Sequence, residues 1–134
     1  MSKVLVLYTG GTIGMIKDPE SGHLGSVDFN SVYEHIPELK RLQIEITTKS
    51  FNNPVDSSEM EPKDWIEIAR IIKEEYDHFN GFVILHGTDT MSYAASALSF
   101  MIQDLKKPII FTGSQLPIGV IRTDGKENLI TAIE

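Results

Sequence analysis

Val4-Leu5-Val6-Leu7-Tyr8-Thr9-Gly10-Gly11-Thr12 is the stretch on which the fold turns. Four apolar residues and a tyrosine run on without polar alternation, the pattern of a parallel strand covered on both faces. Two adjacent glycines follow at once, and they let the backbone approach a neighbour or a ligand closely. Residues 82–86 and 109–111 repeat the plan. They too end in glycine plus hydroxyl residues, Gly87-Thr88-Asp89-Thr90 and Thr112-Gly113-Ser114. A fourth strand, residues 43–48, alternates Ile44 and Ile46 with Gln43, Glu45 and Thr47, and belongs nearer a sheet edge.

Helical patterns separate these runs. Between Pro62 and Asn80, Trp65, Ala69, Ile72, Tyr76 and Phe79 recur at steps of three and four, and Pro62 suits a first helical position. Residues 90–104 are apolar around most of their circumference, which predicts a nearly buried helix. A shorter helix is expected over residues 29–35, capped by Asp28 and stopped by Pro37. The βαβαβαβα alternation predicts an α/β fold: three layers, a mainly parallel sheet and right-handed crossovers, in one domain over residues 1–134. After Asp124-Gly125-Lys126-Glu127, the residues Leu129, Ile130, Ala132 and Ile133 begin an amphipathic helix. The sequence ends at Glu134 with no capping glycine, and reads as a domain cut inside its last helix.

Bulk properties narrow the function classes. The 134 residues are 41% hydrophobic and 23% charged, close to a globular average. A net charge of −7 argues against nucleic acid as a partner, since little here would neutralise phosphates. No cysteine is present, which removes disulfides and thiolate metal sites. The apolar run at the amino terminus is too short for a signal peptide and too short to span a bilayer. The expectation is a cytoplasmic protein without membrane association, and no metal or cofactor is expected.

Sites in open parallel sheets form where the carboxyl ends of the strands meet their loops. The three glycine-hydroxyl clusters should therefore converge. The first is neither G-x-G-x-x-G nor a Walker A loop, so a nucleotide site is the lesser reading beside an ordinary tight turn. In the second cluster, helix capping by Thr88 or Asp89 explains one side chain but not His86, Thr88, Asp89 and Thr90 together. His86 reads as a core histidine and stands outside the expected site. Val55-Asp56-Ser57-Ser58-Glu59-Met60, taken alone, reads as a solvated turn with Ser58 or Glu61 as a cap.

Taken together, these segments closely resemble the cytoplasmic type I bacterial L-asparaginases. The matching stretches are Thr9-Gly10-Gly11-Thr12-Ile13-Gly14, Asp56-Ser57-Ser58-Glu59-Met60, residues 81–91 with His86-Gly87-Thr88-Asp89-Thr90, and residues 108–117 with Thr112-Gly113-Ser114-Gln115. The resemblance implies a flavodoxin-like amino-terminal domain, followed in the family by a smaller α/β domain absent from this sequence. It implies Thr12 as the hydroxyl that attacks the side-chain amide of asparagine, releasing ammonia and then aspartate through an acyl-enzyme. Thr88 would activate or position the attacking groups, and Asp89 would bind the substrate's α-ammonium group. Asp56, Ser57 and Ser58 would hold the α-amino and α-carboxylate ends. Backbone N–H groups around Thr12 and Thr88 would form the oxyanion hole.

Residues 16–26 would be the family's mobile lid. No tyrosine stands there, and His23 occupies the comparable place. The lysine that partners the threonine-aspartate pair in the family would lie past residue 134. The 134 residues alone are therefore expected to be inactive, and the longer protein to be an asparaginase assembled as a homodimer or homotetramer. Two rival readings stand beside this one. The first is the asparaginase-like subunit of a glutamyl-tRNA amidotransferase, against which Met1 leading straight into the first strand argues. The other is a non-catalytic amino-acid-binding module.

Overall fold

The computed structural model describes residues 1–17, 20–22, 24–26 and 32–134. In chain order its strands are β1 (Ser2–Tyr8), β2 (Met15–Lys17), β3 (Leu24–Ser26), β4 (Ile44–Ser50), β5 (Gly81–Leu85) and β6 (Ile109–Thr112). Its α-helices are α1 (Val32–His35), α2 (Pro62–Glu75), α3 (Met91–Met101) and α4 (Gly125–Ile133). Four strands form one parallel sheet in the order β4-β1-β5-β6. Ranked by sequence this is 2-1-3-4, the order of the first four strands of a flavodoxin-like sheet.

The unbroken apolar runs are explained by two cores, one on each face of the sheet. Val4, Val6 and Tyr8 of β1 join Val83 and Leu85 of β5, with Ile36, Leu39 and the α4 residues Leu129 and Ile133 packed over them. Leu5 and Leu7 face the other way, with Phe82 and Ile84, against Ile68 and Ile72 of α2 and Leu98 of α3. Every side chain of β1 from Val4 onward is buried. Each such side chain contributes roughly 1.5–3 kcal/mol by leaving water. β4 lies at an edge, as its alternation predicts: Ile44 and Ile46 pack inward while Glu45 is exposed.

Three expectations need correction. The helix expected over residues 90–104 is shorter, Met91–Met101, and it is not nearly buried. Only Ala94 and Leu98 are buried, whereas Tyr93 is 67% and Phe100 83% exposed. A helix on one face of a sheet has one stripe to bury, and composition alone does not reveal what lies opposite the others. Secondly, α2 ends at Glu75, although Tyr76 and Phe79 beyond it still pack on Phe82 at ring distances of 6.1 and 6.2 Å. Thirdly, the expected lid contains regular structure, because β2 and β3 pair as an antiparallel hairpin. Of the helix expected over 29–35, residues 32–35 are helical; Asp28 and His23 lie outside the described residues. Among the described residues, no helix is long and apolar enough to cross a membrane.

Candidate active site at the carboxyl ends of the strands

The loops that leave β1, β5 and β6 are fastened to one another by hydrogen bonds that extend the sheet past its last ladder rung. Thr9 donates twice to the Leu85 carbonyl, from its N–H at 3.0 Å and from Oγ1 at 2.8 Å. His86 N–H donates to the Thr112 carbonyl at 3.0 Å, and Val55 N–H donates to the Thr9 carbonyl at 2.8 Å. These bonds satisfy buried backbone groups and leave the loops little freedom to part.

Glycine makes the remaining approach close. Gly10 has φ +143°, and a Cβ there would lie 2.0 Å from the Val55 carbonyl oxygen. Gly11 has φ +93°, and its Cβ would lie 2.6 Å from Gly87 N. Both the backbone angle and the space therefore demand glycine in this turn. Gly87 in turn rests on Ser57, and Gly113 on the His86 carbonyl and the Thr88 methyl group. Segments dispersed along the sequence thus meet around the His86–Gly87 peptide.

The expected site residues stand in this cluster as follows. Thr12 is half-buried and opens a 3-10 turn, Thr12–Gly14. Among the described residues its hydroxyl makes no hydrogen bond. Thr88 and Asp89 are exposed between β5 and α3. Neither is consumed by helix capping: Thr90 stands at the N-cap, and its hydroxyl donates instead to the Ser57 carbonyl at 2.7 Å. Thr88 Oγ1 accepts from Gln115 Nε2 at 3.1 Å. That bond uses a lone pair of the hydroxyl and leaves its proton to be directed elsewhere.

Asp56 caps the 3-10 turn Ser57–Glu59, as Oδ1 accepts from Ser58 N–H at 2.9 Å and from Ser58 Oγ at 2.8 Å. The backbone bond from Ser58, then the hydroxyl bond, hold the Asp56 carboxyl below the usual aspartate range. It therefore stays anionic, with Oδ2 unengaged among the described residues. Ser57 is buried against Gly87, while Ser58 is exposed. The helix cap expected from Glu61 is present, and Asp64 accepts its N–H at 2.8 Å.

Several contributors escaped the sequence reading. Gln115, the partner of Thr88, lies in a loop that is close to uninformative by itself. Asp124 organises that loop by accepting Gln115 N–H at 2.9 Å and Leu116 N–H at 3.0 Å, bonds that lower its pKa. Asn128 of α4 ties down the Gly113 carbonyl at 2.9 Å. His86, read as a core histidine, is fully buried. A polar groove of about 620 Å³ between the end of β4 and α2 touches none of the threonines. Two of its cations, Lys63 and Arg70, are already paired with Glu61, Glu67 and Glu74.

The family described as Asparaginase, N-terminal matches residues 3–134. The chain belongs to the asparaginase N-terminal family. It is 48% identical over 135 residues to L-asparaginase 1 of Escherichia coli K12, covering 97% of this chain and 39% of that protein. The crystal structure of L-asparaginase I from Vibrio cholerae superimposes with a TM-score of 0.87 at 45% identity, covering 98% of this chain and 39% of that one. A glutamyl-tRNA(Gln) amidotransferase subunit of Thermoplasma volcanium is 41% identical over 130 residues, covering 97% of this chain and 32% of that protein. The chain thus spans about two fifths of the asparaginases it resembles. The motifs read from the sequence fall at the ends of β1, β5 and β6 and, for residues 56–60, in the loop between β4 and α2.

Proposed function

We propose that this chain is the nucleophile-bearing domain of an amidohydrolase that converts L-asparagine to L-aspartate and ammonia, with Thr12 as nucleophile. The observation that carries the reading is the close contact of the Thr12 loop with the His86–Gly87 peptide that leads into Thr88, made through Gly11. It brings a threonine hydroxyl, a second threonine and a carboxylate to one end of the sheet.

In the reaction, Thr12 Oγ attacks the amide carbon as its proton is taken up, and the carbonyl oxygen becomes an oxyanion. The carbonyl reforms as ammonia departs with a proton, leaving a Thr12 ester. Water then attacks the ester and returns the proton to Thr12 as aspartate leaves. Asp89 and the free Oδ2 of Asp56 supply negative charge for the α-ammonium group, through charge-assisted hydrogen bonds. Ser57 and Ser58 fix the α-carboxylate end. The threonine N–H groups meet the oxyanion, where each well-aimed donor is worth about 2.7–4 kcal/mol. A threonine hydroxyl needs help to lose its proton, which in this reading comes from Thr88 together with the family's partner lysine. The 134 residues alone are accordingly inactive, and the longer protein supplies the partner lysine. Homo-oligomer assembly and a cytoplasmic location belong to the same reading.

The test is Thr12→Ala in the full-length protein, followed by asparagine-dependent ammonia release and by asparagine binding. Turnover falls by more than about a thousandfold while binding persists, in line with removal of a covalent nucleophile. Turnover surviving in the variant would sink the reading. An unmodified protein that binds asparagine without hydrolysing it would favour a binding module. The match to an amidotransferase subunit supports a second reading, ammonia release for a partner enzyme. Ammonia release strictly dependent on added partner and tRNA would select it.

A further inference from the structure

Two buried aromatic rings end adjacent strands and make the same hydrogen bond. Tyr8, the last residue of β1, donates from its hydroxyl to the Gly11 carbonyl at 2.9 Å. His86, directly after β5, bonds through Nδ1 to the Gly87 carbonyl at 2.7 Å. A carbonyl only accepts, so Nδ1 carries the proton and His86 is the neutral Nδ1–H tautomer. Its Nε2 is buried without a partner among the described residues. Tyr8 is likewise buried, and burial pushes its pKa up to about 12, so it remains a donor. The ring has room because Gly14 has no Cβ, which would lie 2.3 Å from it.

Each accepting carbonyl belongs to the peptide that leads into a threonine: Gly11–Thr12 in one loop, Gly87–Thr88 in the other. A trans peptide is planar, with its C=O and N–H pointing in opposite directions. Holding the oxygen therefore aims the threonine N–H. Both peptides begin at glycine, whose soft φ and ψ would otherwise let the plane rotate. The Gly11 carbonyl has one further bond, from Gly14 N–H at the longer distance of 3.3 Å. Among the described residues, neither the Thr12 N–H nor the Thr88 N–H donates a hydrogen bond within the protein. Backbone donors are rarely left unused, and two held in fixed directions beside a nucleophile suit an oxygen that gains negative charge.

We propose that Tyr8 and His86 are positioning residues, a matched pair of buried donors that lock the Gly11–Thr12 and Gly87–Thr88 peptide planes and so aim the two threonine N–H groups at the reacting carbonyl. The inference rests on Thr12 being the nucleophile. Neither side chain touches substrate; both act through the peptide they hold. They therefore affect the transition state, whose oxyanion needs aimed donors, more than the bound substrate.

Asparagine hydrolysis by the full-length protein tests this with Tyr8→Phe, His86→Leu and His86→Asn, each compared at equal folded fraction. Tyr8→Phe keeps the ring and removes only the donor. It and His86→Leu lower kcat about tenfold or more while KM stays within about twofold, a milder loss than deleting an oxyanion donor outright. His86→Asn, whose amide N–H lies near the position of Nδ1, recovers most of the loss. An unchanged kcat in Tyr8→Phe overturns the proposal, and so does a His86→Asn variant as slow as His86→Leu. Thr12→Ala separates the two levels of the argument. If that variant keeps its turnover, the nucleophile reading fails and the positioning role falls with it. If Thr12 is essential but Tyr8→Phe is fully active, only the positioning role fails.

Discussion

The two threonine loops reach one place by different construction. The loop after β1 is set mainly by backbone packing: Gly10 and Gly11 take positive φ and press against Val55 and Gly87, the Tyr8 and Thr9 hydroxyls add one hydrogen bond each, and the Thr12 hydroxyl makes no bond among the described residues. The loop after β5 keeps ordinary backbone angles at Gly87 and Thr88 and is held by side chains, with Gln115 on Thr88 and Thr90 on Ser57. Close packing fixes a nucleophile to a fraction of an ångström but tolerates no added atom. Hydrogen-bonded side chains give way more gradually. The difference between the loops should appear as a graded series of losses.

Gly11→Ala strikes hardest, since the new methyl group meets Gly87 backbone at 2.6–2.7 Å and the φ of +93° is strained for alanine. A loss of about 3 kcal/mol or more in urea unfolding is expected, with strain and overpacking adding. Gly87→Ala meets Ser57 Oγ at 2.5 Å and Cβ at 2.6 Å, at a residue without positive φ. The expected cost is smaller, about 1–3 kcal/mol, because Ser57 can shift. A Gly87→Ala loss equal to that of Gly11→Ala would erase the contrast between the loops.

His86 gives a pH signature to the same region. Burial depresses its pKa, and the Gly87 bond opposes this only in part. The unfolded chain takes up a proton near pH 6.5 and the folded one only at lower pH. Stability contributed by the neutral ring is thus intact above about pH 6.5 and is lost as pH falls toward the folded pKa, by at most about 1.4 kcal/mol per pH unit. Unfolding free energies of the parent and of His86→Leu between pH 7.5 and 5 should diverge in slope by that amount; parallel curves would remove His86 from the account. The smallest effect is a gain. Gly119 has ordinary φ and open space where a Cβ would stand, so Gly119→Ala should leave the melting temperature unchanged or raise it, stabilising by up to about 1 kcal/mol.

Much of this was legible in the sequence, for reasons that particular residues make plain. Unbroken runs such as Val4-Leu5-Val6-Leu7 arise only where both faces are covered, and β1 and β5 are central in the sheet. The Gly10-Gly11 pair announces close backbone approach because no other residue could take its place. By contrast, β2 and β3 have three residues each, too few to show a period. The Tyr93 and Phe100 face of α3 reads as core because a side chain's apolar character does not reveal its neighbours. Gln115 on Thr88, Asp124 under the Gln115 loop and His86 on Gly87 are contacts of geometry, and their residue types carry no signal until the loops are brought together.

The position of β1 in the middle of the sheet also governs the order of assembly. Its two neighbours are residues 44–50 and 81–85, so β1 is satisfied on both edges only after β5 has been made. At about 5–20 residues per second on the ribosome, β1 waits for seconds with its apolar side chains uncovered. Such long-range parallel pairing is slow to form even in a finished chain. The strand that presents Thr12 therefore leaves the ribosome with its apolar side chains exposed well before its second partner strand exists.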